Sequence, residues 1–333
     1  MLRPPRVISW INPSISCLAA LAILCFARVA SADPSSTSLE QGYDLGAIQN
    51  PREMAFGGAQ TALGTSTVAL YNNPANLALA RVYHFEGLAT VSPEARRQSY
   101  GLAVVDSSTS RLAGGLAGTL NELDPDGVHR SWTDVRMGLA YLLGDRFAVG
   151  ASVRYLRVNQ ATGSGPLGAS PVSDGAVSPI LDALTLSAGA TIIPAEGFRI
   201  GVVGQNLTNL GVGLAPTTLQ GGAGYTSEIF SIEADAMADF TTYKSTAGRY
   251  MAGAEVFLGG HVPLRVGYRF DDGTMTHSVS GGLGYIDTRW SVEAGVRQDV
   301  VSEHPSTMVG LSFRFFYTSE TGGGAVDTSN DAF

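Results

Sequence analysis

The chain is almost without cysteine. Among its 333 residues only Cys17 and Cys25 carry a thiol, and both lie near the start. The long remainder therefore holds no disulfide, no thiolate metal site and no cysteine nucleophile. Charge is scarce too: 15% of residues are charged, against the roughly one quarter of an ordinary soluble domain. Histidine is limited to His84, His129, His261, His277 and His304, none at metal-ligand spacing. No Ser/His/Asp or paired-carboxylate constellation stands out from background, so the chain reads as a non-enzyme without cofactor or metal. The run Asn121–Gly127 (Asn-Glu-Leu-Asp-Pro-Asp-Gly) resembles part of a calcium loop but lacks the full ligand series, and reads as a turn. After residue 32 no apolar run approaches the length of about 18 that marks a membrane-spanning helix.

What is present begins with a targeting segment. Arg3 and Arg6 precede the apolar stretch Cys17–Phe26, and Ala30-Ser31-Ala32 fits a small-x-small cleavage site. Residues 1–32 thus read as a signal peptide, with Asp33 the first residue after cleavage. The apolar core is too short for the roughly 20 residues of a spanning helix. With Arg3, Arg6 and Arg28 removed, 18 of the 21 basic residues face 29 acidic ones, a formal charge of about −11. A nucleic-acid partner would want the opposite balance.

Beyond residue 82 the dominant signal is alternation. In Thr307–Tyr317, Val309, Leu311, Phe313, Phe315 and Tyr317 share one face, while Met308, Gly310, Ser312, Arg314 and Phe316 share the other. In the preceding segment Trp290, Val292, Ala294 and Val296 alternate with Ser291, Glu293, Gly295 and Arg297. Fourteen such strands are expected, at 82–92, 97–106, 111–121, 131–143, 146–158, 180–193, 196–206, 217–226, 229–241, 249–258, 263–271, 276–287, 289–298 and 306–317. Most have about the 9–11 residues that a tilted strand needs to cross a bilayer, and the even number is that of single-chain bacterial barrels. Short and long connections alternate, which suits a barrel with tight periplasmic turns and longer outer loops, the longest being Asn159–Ser178. A soluble β-sandwich is the rival, but it has shorter strands and no reason for that alternation. The expectation is an all-β chain: a transmembrane antiparallel up-and-down β-barrel of about fourteen strands, spanning 82–317, with its N-terminus in the periplasm.

Residues 33–81 do not alternate. Gly57-Gly58 permits a tight backbone turn, and Asn73-Pro74 reads as a cap and first turn of a short helix running to about Ala80. The run Met54–Ala78 contains Gly57-Gly58-Ala59 and then Asn73-Pro74-Ala75 with Leu77. It resembles the N-terminal signature of the FadL-like outer-membrane β-barrel superfamily, which covers long-chain fatty-acid transporters and the compact PorV/PorQ-like branch. Asn76 stands where that family usually has Gly, and Gly64-Thr65-Ser66 replaces its usual acidic pair. The resemblance implies a fourteen-stranded barrel with residues 33–81 inside the lumen as a plug or hatch, Gly57, Gly58, Asn73, Pro74 and Ala75 being its luminal or gating residues. The short outer loops favour the compact branch.

Inward faces should carry a mixed-charge lumen. Arg136, Arg154, Arg199, Arg265, Arg269, Arg297 and Arg314 would meet Asp134, Glu233, Asp235, Asp239, Glu255 and Glu293. Such charges either pair and fill the lumen or form a selective pathway; Arg265 and Arg269, four apart on one face, are the first candidates for contact with an anion. The tail 318–333 reads as a disordered polar segment or a docking peptide for a periplasmic partner. The partners expected are outer-membrane lipid and the barrel-assembly machinery. Two functions stay open: passive transport or binding of small hydrophobic or amphipathic molecules, and a structural or shuttle role in a secretion or envelope machine.

Overall fold

The computed structural model describes residues 50–123, 129–161, 177–211, 215–243, 245–303 and 305–317. Residues 1–32, read above as a signal peptide, residues 33–49, positions 124–128 of the Asp-Pro-Asp-Gly run, 162–176 of the longest connection and the tail 318–333 lie outside the described residues.

Fourteen antiparallel strands form one closed barrel: β1 Tyr83–Ser92, β2 Arg97–Asp106, β3 Leu112–Leu123, β4 Arg130–Leu143, β5 Phe147–Ala161, β6 Val177–Ala195, β7 Phe198–Gln205, β8 Thr218–Thr226, β9 Phe230–Asp239, β10 Ala247–Leu258, β11 Val262–Asp271, β12 Thr276–Ile286, β13 Trp290–Val301 and β14 Thr307–Phe316. Each strand pairs with its neighbours in sequence, and β14 returns to β1 over His84↔Phe316 to Val91↔Val309. Closure leaves no edge strand whose N–H and C=O groups lack partners. The expected strands are all there. The ends that differ most from the period-two reading sit at bulges: β5 and β6 continue past a register shift at Val158/Asn159, and β13 past one opposite His277/Ser278. A bulge adds one residue and swaps the faces, so alternation stops there although pairing does not.

The wall is sorted inside out relative to a soluble protein. Leu102, Leu120, Leu184, Val266, Leu311 and Phe313 point outward and are exposed, Leu102 by 74%. The charges on the opposite faces, including Glu255, Glu293 and Arg314, are buried. The rim with the short turns carries outward aromatics in contact: Tyr83–Tyr317 at 5.5 Å, Phe198–Tyr225 at 4.7 Å, Tyr225–Phe230 at 5.6 Å and Tyr285–Trp290 at 5.4 Å between ring centroids. Tyr250 and Phe270 stack towards the opposite rim. Two aromatic levels flanking an aliphatic band are the pattern of a wall built to sit in a bilayer. Among the described residues no helix is long and apolar enough to cross a membrane.

Candidate functional site: the plugged lumen

Residues 50–82 thread through the lumen nearer the short-turn rim. Asn50 starts the helix Pro51–Ala55, its Oδ1 accepting from the Arg52 N–H at 2.8 Å, with Pro51 in the first turn where no N–H is missed. The chain then reverses through Gly57 and Gly58, with φ of +67° and +95°. Gly57 also lies against β11 so closely that a Cβ would stand 2.6 Å from the Tyr268 carbonyl oxygen. Both the left-handed backbone and the missing side chain are required there. A second helix, Thr67–Tyr71, leads to Asn73, whose Oδ1 accepts from the Ala75 N–H at 3.2 Å and caps Pro74–Leu79. The short helix expected from Pro74 is thus present, but as a six-residue 3₁₀ helix, longer than the three or four residues this tighter winding usually sustains. Gly57, Gly58, Asn73, Pro74 and Ala75 are all buried.

Asn76, the departure from the family pattern, is used. Its Nδ2 donates to the Thr61 carbonyl at 3.0 Å, and its Oδ1 accepts from the Thr191 hydroxyl of β6 at 2.6 Å. Asn73 Nδ2 donates to the same carbonyl at 2.8 Å and to Thr191 Oγ1 at 3.0 Å. Thr61 and Thr191 thereby tie both asparagines together and to the wall.

Three polar anchors hold the plug. On β9, Asp235 accepts from the backbone N–H groups of Gln60 and Thr61 at 3.0 Å each and from the Thr61 hydroxyl at 2.6 Å. Glu233, on the same face, accepts from the Ala62 N–H at 2.5 Å and the Leu63 N–H at 3.2 Å. On β4, Arg136 donates to the Tyr71 carbonyl at 3.0 Å, lies 5.1 Å over the Tyr71 ring, and shares Asp134 with Arg154 at 3.0 and 2.7 Å. The third anchor is an ion chain round the wall. Arg52 of the plug meets Glu255 on β10 at 3.3 Å; Arg265 on β11 bridges Glu255 and Glu293 at 2.5 and 2.6 Å; Arg314 on β14 joins Glu293 to Glu86 on β1 at 3.1 Å each. Glu86 in turn accepts from Asn50 and Thr67. Buried charges of both signs are thus paired, which is what their burial demands.

The expected luminal charges Arg136, Arg154, Glu233, Asp235, Asp239, Glu255, Arg265, Arg269, Glu293, Arg297 and Arg314 are all buried, and Arg199 is partly exposed. They do not form one site. Arg265 is committed to two carboxylates within the wall, so it is not disposed for an external anion as its sequence position had suggested. Asp239 is a turn residue, accepting from the Thr241 and Thr242 N–H groups at 2.9 and 3.0 Å. Arg52, Glu86, Thr61 and Thr191 escaped the sequence reading. For Glu86 the reason is physical: β1 carries His84, Glu86, Leu88 and Thr90 inward, so both of its faces look half apolar and its parity is obscured.

Apolar groups also line the interior. Leu70, Tyr71 and Leu77 of the plug pack on Leu88, Val105, Ala117 and Ala140 of β1–β4. Further towards the long-connection rim, Leu123, Trp132, Leu156 and Val158 form a second cluster with Ala215, Leu181 and Leu210. Arg97 lies 5.3 Å over the Trp132 ring. The interior therefore holds two apolar patches, separated by the Asp134, Arg136 and Arg154 cluster, and the outer patch lies beside the cationic Arg97.

These features define a class by shape: a closed fourteen-stranded barrel, apolar outside, with an N-terminal plug inside. No protein-family model matches the chain, and no curated protein matches it in sequence. Solved structures do share the fold. The CymD monoaromatic hydrocarbon channel superposes with a TM-score of 0.64 at 15% identity, over 81% of this chain and 97% of its own. The Ralstonia pickettii toluene transporter TbuX gives 0.60 at 15%, over 83% and 100%. A Pseudomonas aeruginosa FadL homologue gives 0.56 at 12%, over 81% and 98%. At these identities the likeness is one of fold.

Proposed function

We propose that the protein is an outer-membrane channel for passive passage of small hydrophobic or amphipathic molecules, with residues 50–82 as the luminal element that restricts the bore. The observation that carries this reading is the plugged lumen itself: a plug anchored to the wall, with an apolar patch around Trp132 on its long-connection side. An open water-filled pore would have no use for an interior apolar patch, whereas an apolar solute leaving water needs such a surface. The names of the fold relatives, a hydrocarbon channel and a toluene transporter, support the same class of solute. The apolar outer belt and the reading of residues 1–32 as a signal peptide support an outer-membrane location, reached through the barrel-assembly machinery.

The test is uptake. Cells carrying and lacking the gene are compared for accumulation of a labelled monoaromatic compound and a labelled long-chain fatty acid. Faster uptake of either, lost on deletion and restored by the gene, supports the reading. Equal uptake, with a periplasmic or surface protein co-purifying with the barrel, favours a structural role in a secretion or envelope machine.

A further inference from the structure

Glycine in the middle of a strand is costly, since it adds chain entropy to lose and no side chain to pack. Yet eleven of the fourteen strands, all except β1, β2 and β9, turn a glycine inward against residues 51–77. A Cβ on Gly150 of β5 would stand 2.5 Å from the Pro74 carbonyl carbon and the Ala75 nitrogen. One on Gly295 of β13 would stand 2.5 Å from the Pro51 carbonyl oxygen, and one on Gly282 of β12 2.6 Å from the Ala55 Cβ. Gly201 of β7 and Gly267 of β11 lie equally tight against the backbone of Thr61 and of Phe56-Gly57. Gly282 lies opposite Gly295 across the β12–β13 pair, so the bare surface continues from strand to strand. Gly118, outward on β3, is the contrast: a Cβ there would meet nothing within 4 Å.

We propose that these inward glycines are positioning residues: together they form a socket into which the backbone of the plug seats, and this fit seals the barrel to small polar solutes. The ion chain and the two carboxylates hold the plug; the glycines let it come close enough to leave no water-wide gap. Four of them, Gly150, Gly201, Gly267 and Gly295, face plug backbone, which has no rotamer by which to move aside. A single methyl group at any of these must displace the plug or the strand. The proposal does not depend on which molecule the barrel passes, since its readout is the leak of a sugar and not the uptake of an apolar solute.

The full-length processed protein is reconstituted into liposomes, and swelling in arabinose is measured for Gly150→Ala, Gly201→Ala, Gly267→Ala and Gly118→Ala, with heat-modifiable gel mobility reporting that each barrel has folded. The three inward variants are expected to leak several-fold faster than wild type, and Gly118→Ala to match it. Gly138 supplies a second measurement, because a Cβ there meets the side chains of Leu77 at 2.9 Å and Leu70 at 3.0 Å. Gly138→Val should leak, and adding Leu77→Ala should restore much of the seal by making room for the new methyl groups. Folded inward variants that leak no faster than Gly118→Ala would overturn the proposal, as would a Gly138→Val leak that Leu77→Ala leaves unchanged. If the alanine variants do not fold, the Gly138 pair alone decides.

Discussion

Replacing Asp235 with alanine is expected to loosen one edge of the plug while the wall stays closed. Asp235 takes three hydrogen bonds from the plug, two from backbone N–H groups and one from the Thr61 hydroxyl, and a fourth from Gln220 at 3.0 Å. A hydrogen bond to a charged acceptor contributes about 1.5–3 kcal/mol, and orphaned buried donors add their own desolvation cost. The three share one acceptor group and do not add fully, so about 3–6 kcal/mol is the expected loss of docking free energy. Glu233 faces the same way two residues earlier and keeps its bonds to Ala62 and Leu63. That favours the lower end of the range. Even about 3 kcal/mol is roughly a hundredfold in the ratio of open to docked plug. Hydrogen exchange resolved by mass spectrometry at the amides of residues 60–63 measures it, with amides of β13 as the internal reference. Asp235→Asn, which keeps one acceptor oxygen, should fall between. Unchanged protection at residues 60–63 in Asp235→Ala, with the barrel folded, would refute the assignment of Asp235 as an anchor.

Three further outcomes are expected. Arg265→Ala leaves Glu255 and Glu293 buried with only their outer partners Arg52 and Arg314, and should cost about 3 kcal/mol or more, read as a lower midpoint of heat-modifiable unfolding. Leu102→Arg places a charge on the outer face at mid-strand and should weaken folding into vesicles by about 2–4 kcal/mol, whereas Leu112→Arg, at the first position of β3, should cost less than about 1 kcal/mol. Glu53 supplies a pH test. Burial pushes its carboxyl from an ordinary 4.5 up to about 7, against partial relief from Arg136 and a hydrogen bond with Asn72. The docked plug thus prefers the protonated acid, so its contribution to docking is complete below about 4.5, declines as pH rises from there to about 7, and is level above. Exchange at residues 60–63, corrected for intrinsic rates, should lose that part of its pH dependence in Glu53→Gln.

How much of this was legible in the sequence depends on the length of the signal. The wall was, because period two repeats over whole strands: Trp290 to Arg297 states its two faces in eight residues. Strand ends at bulges were not, since the extra residue near Val158 or Val300 breaks the period while the hydrogen bonds continue. Within the plug, the turn at Gly57-Gly58 and the cap at Asn73 were local and readable. Its attachments were not. Asp235 and Thr61 are far apart in the chain and meet only because closure puts β9 beside the plug. The wall glycines fell between these cases. Each was visible at an inward position, but a glycine there means nothing until the backbone that fills its place is known, as Gly267 shows against Gly57.

The inside-out sorting of the wall, on which the account rests, can be tested with its own tryptophans. Trp290 lies outward at the short-turn rim, and Trp132 is buried in the interior cluster. In a Trp10→Phe background, protein reconstituted in brominated lipid is compared after Trp132→Phe, which leaves Trp290, and after Trp290→Phe, which leaves Trp132. The account predicts strong quenching of Trp290 and little of Trp132. Equal quenching of the two, or quenching of Trp132 alone, would contradict it.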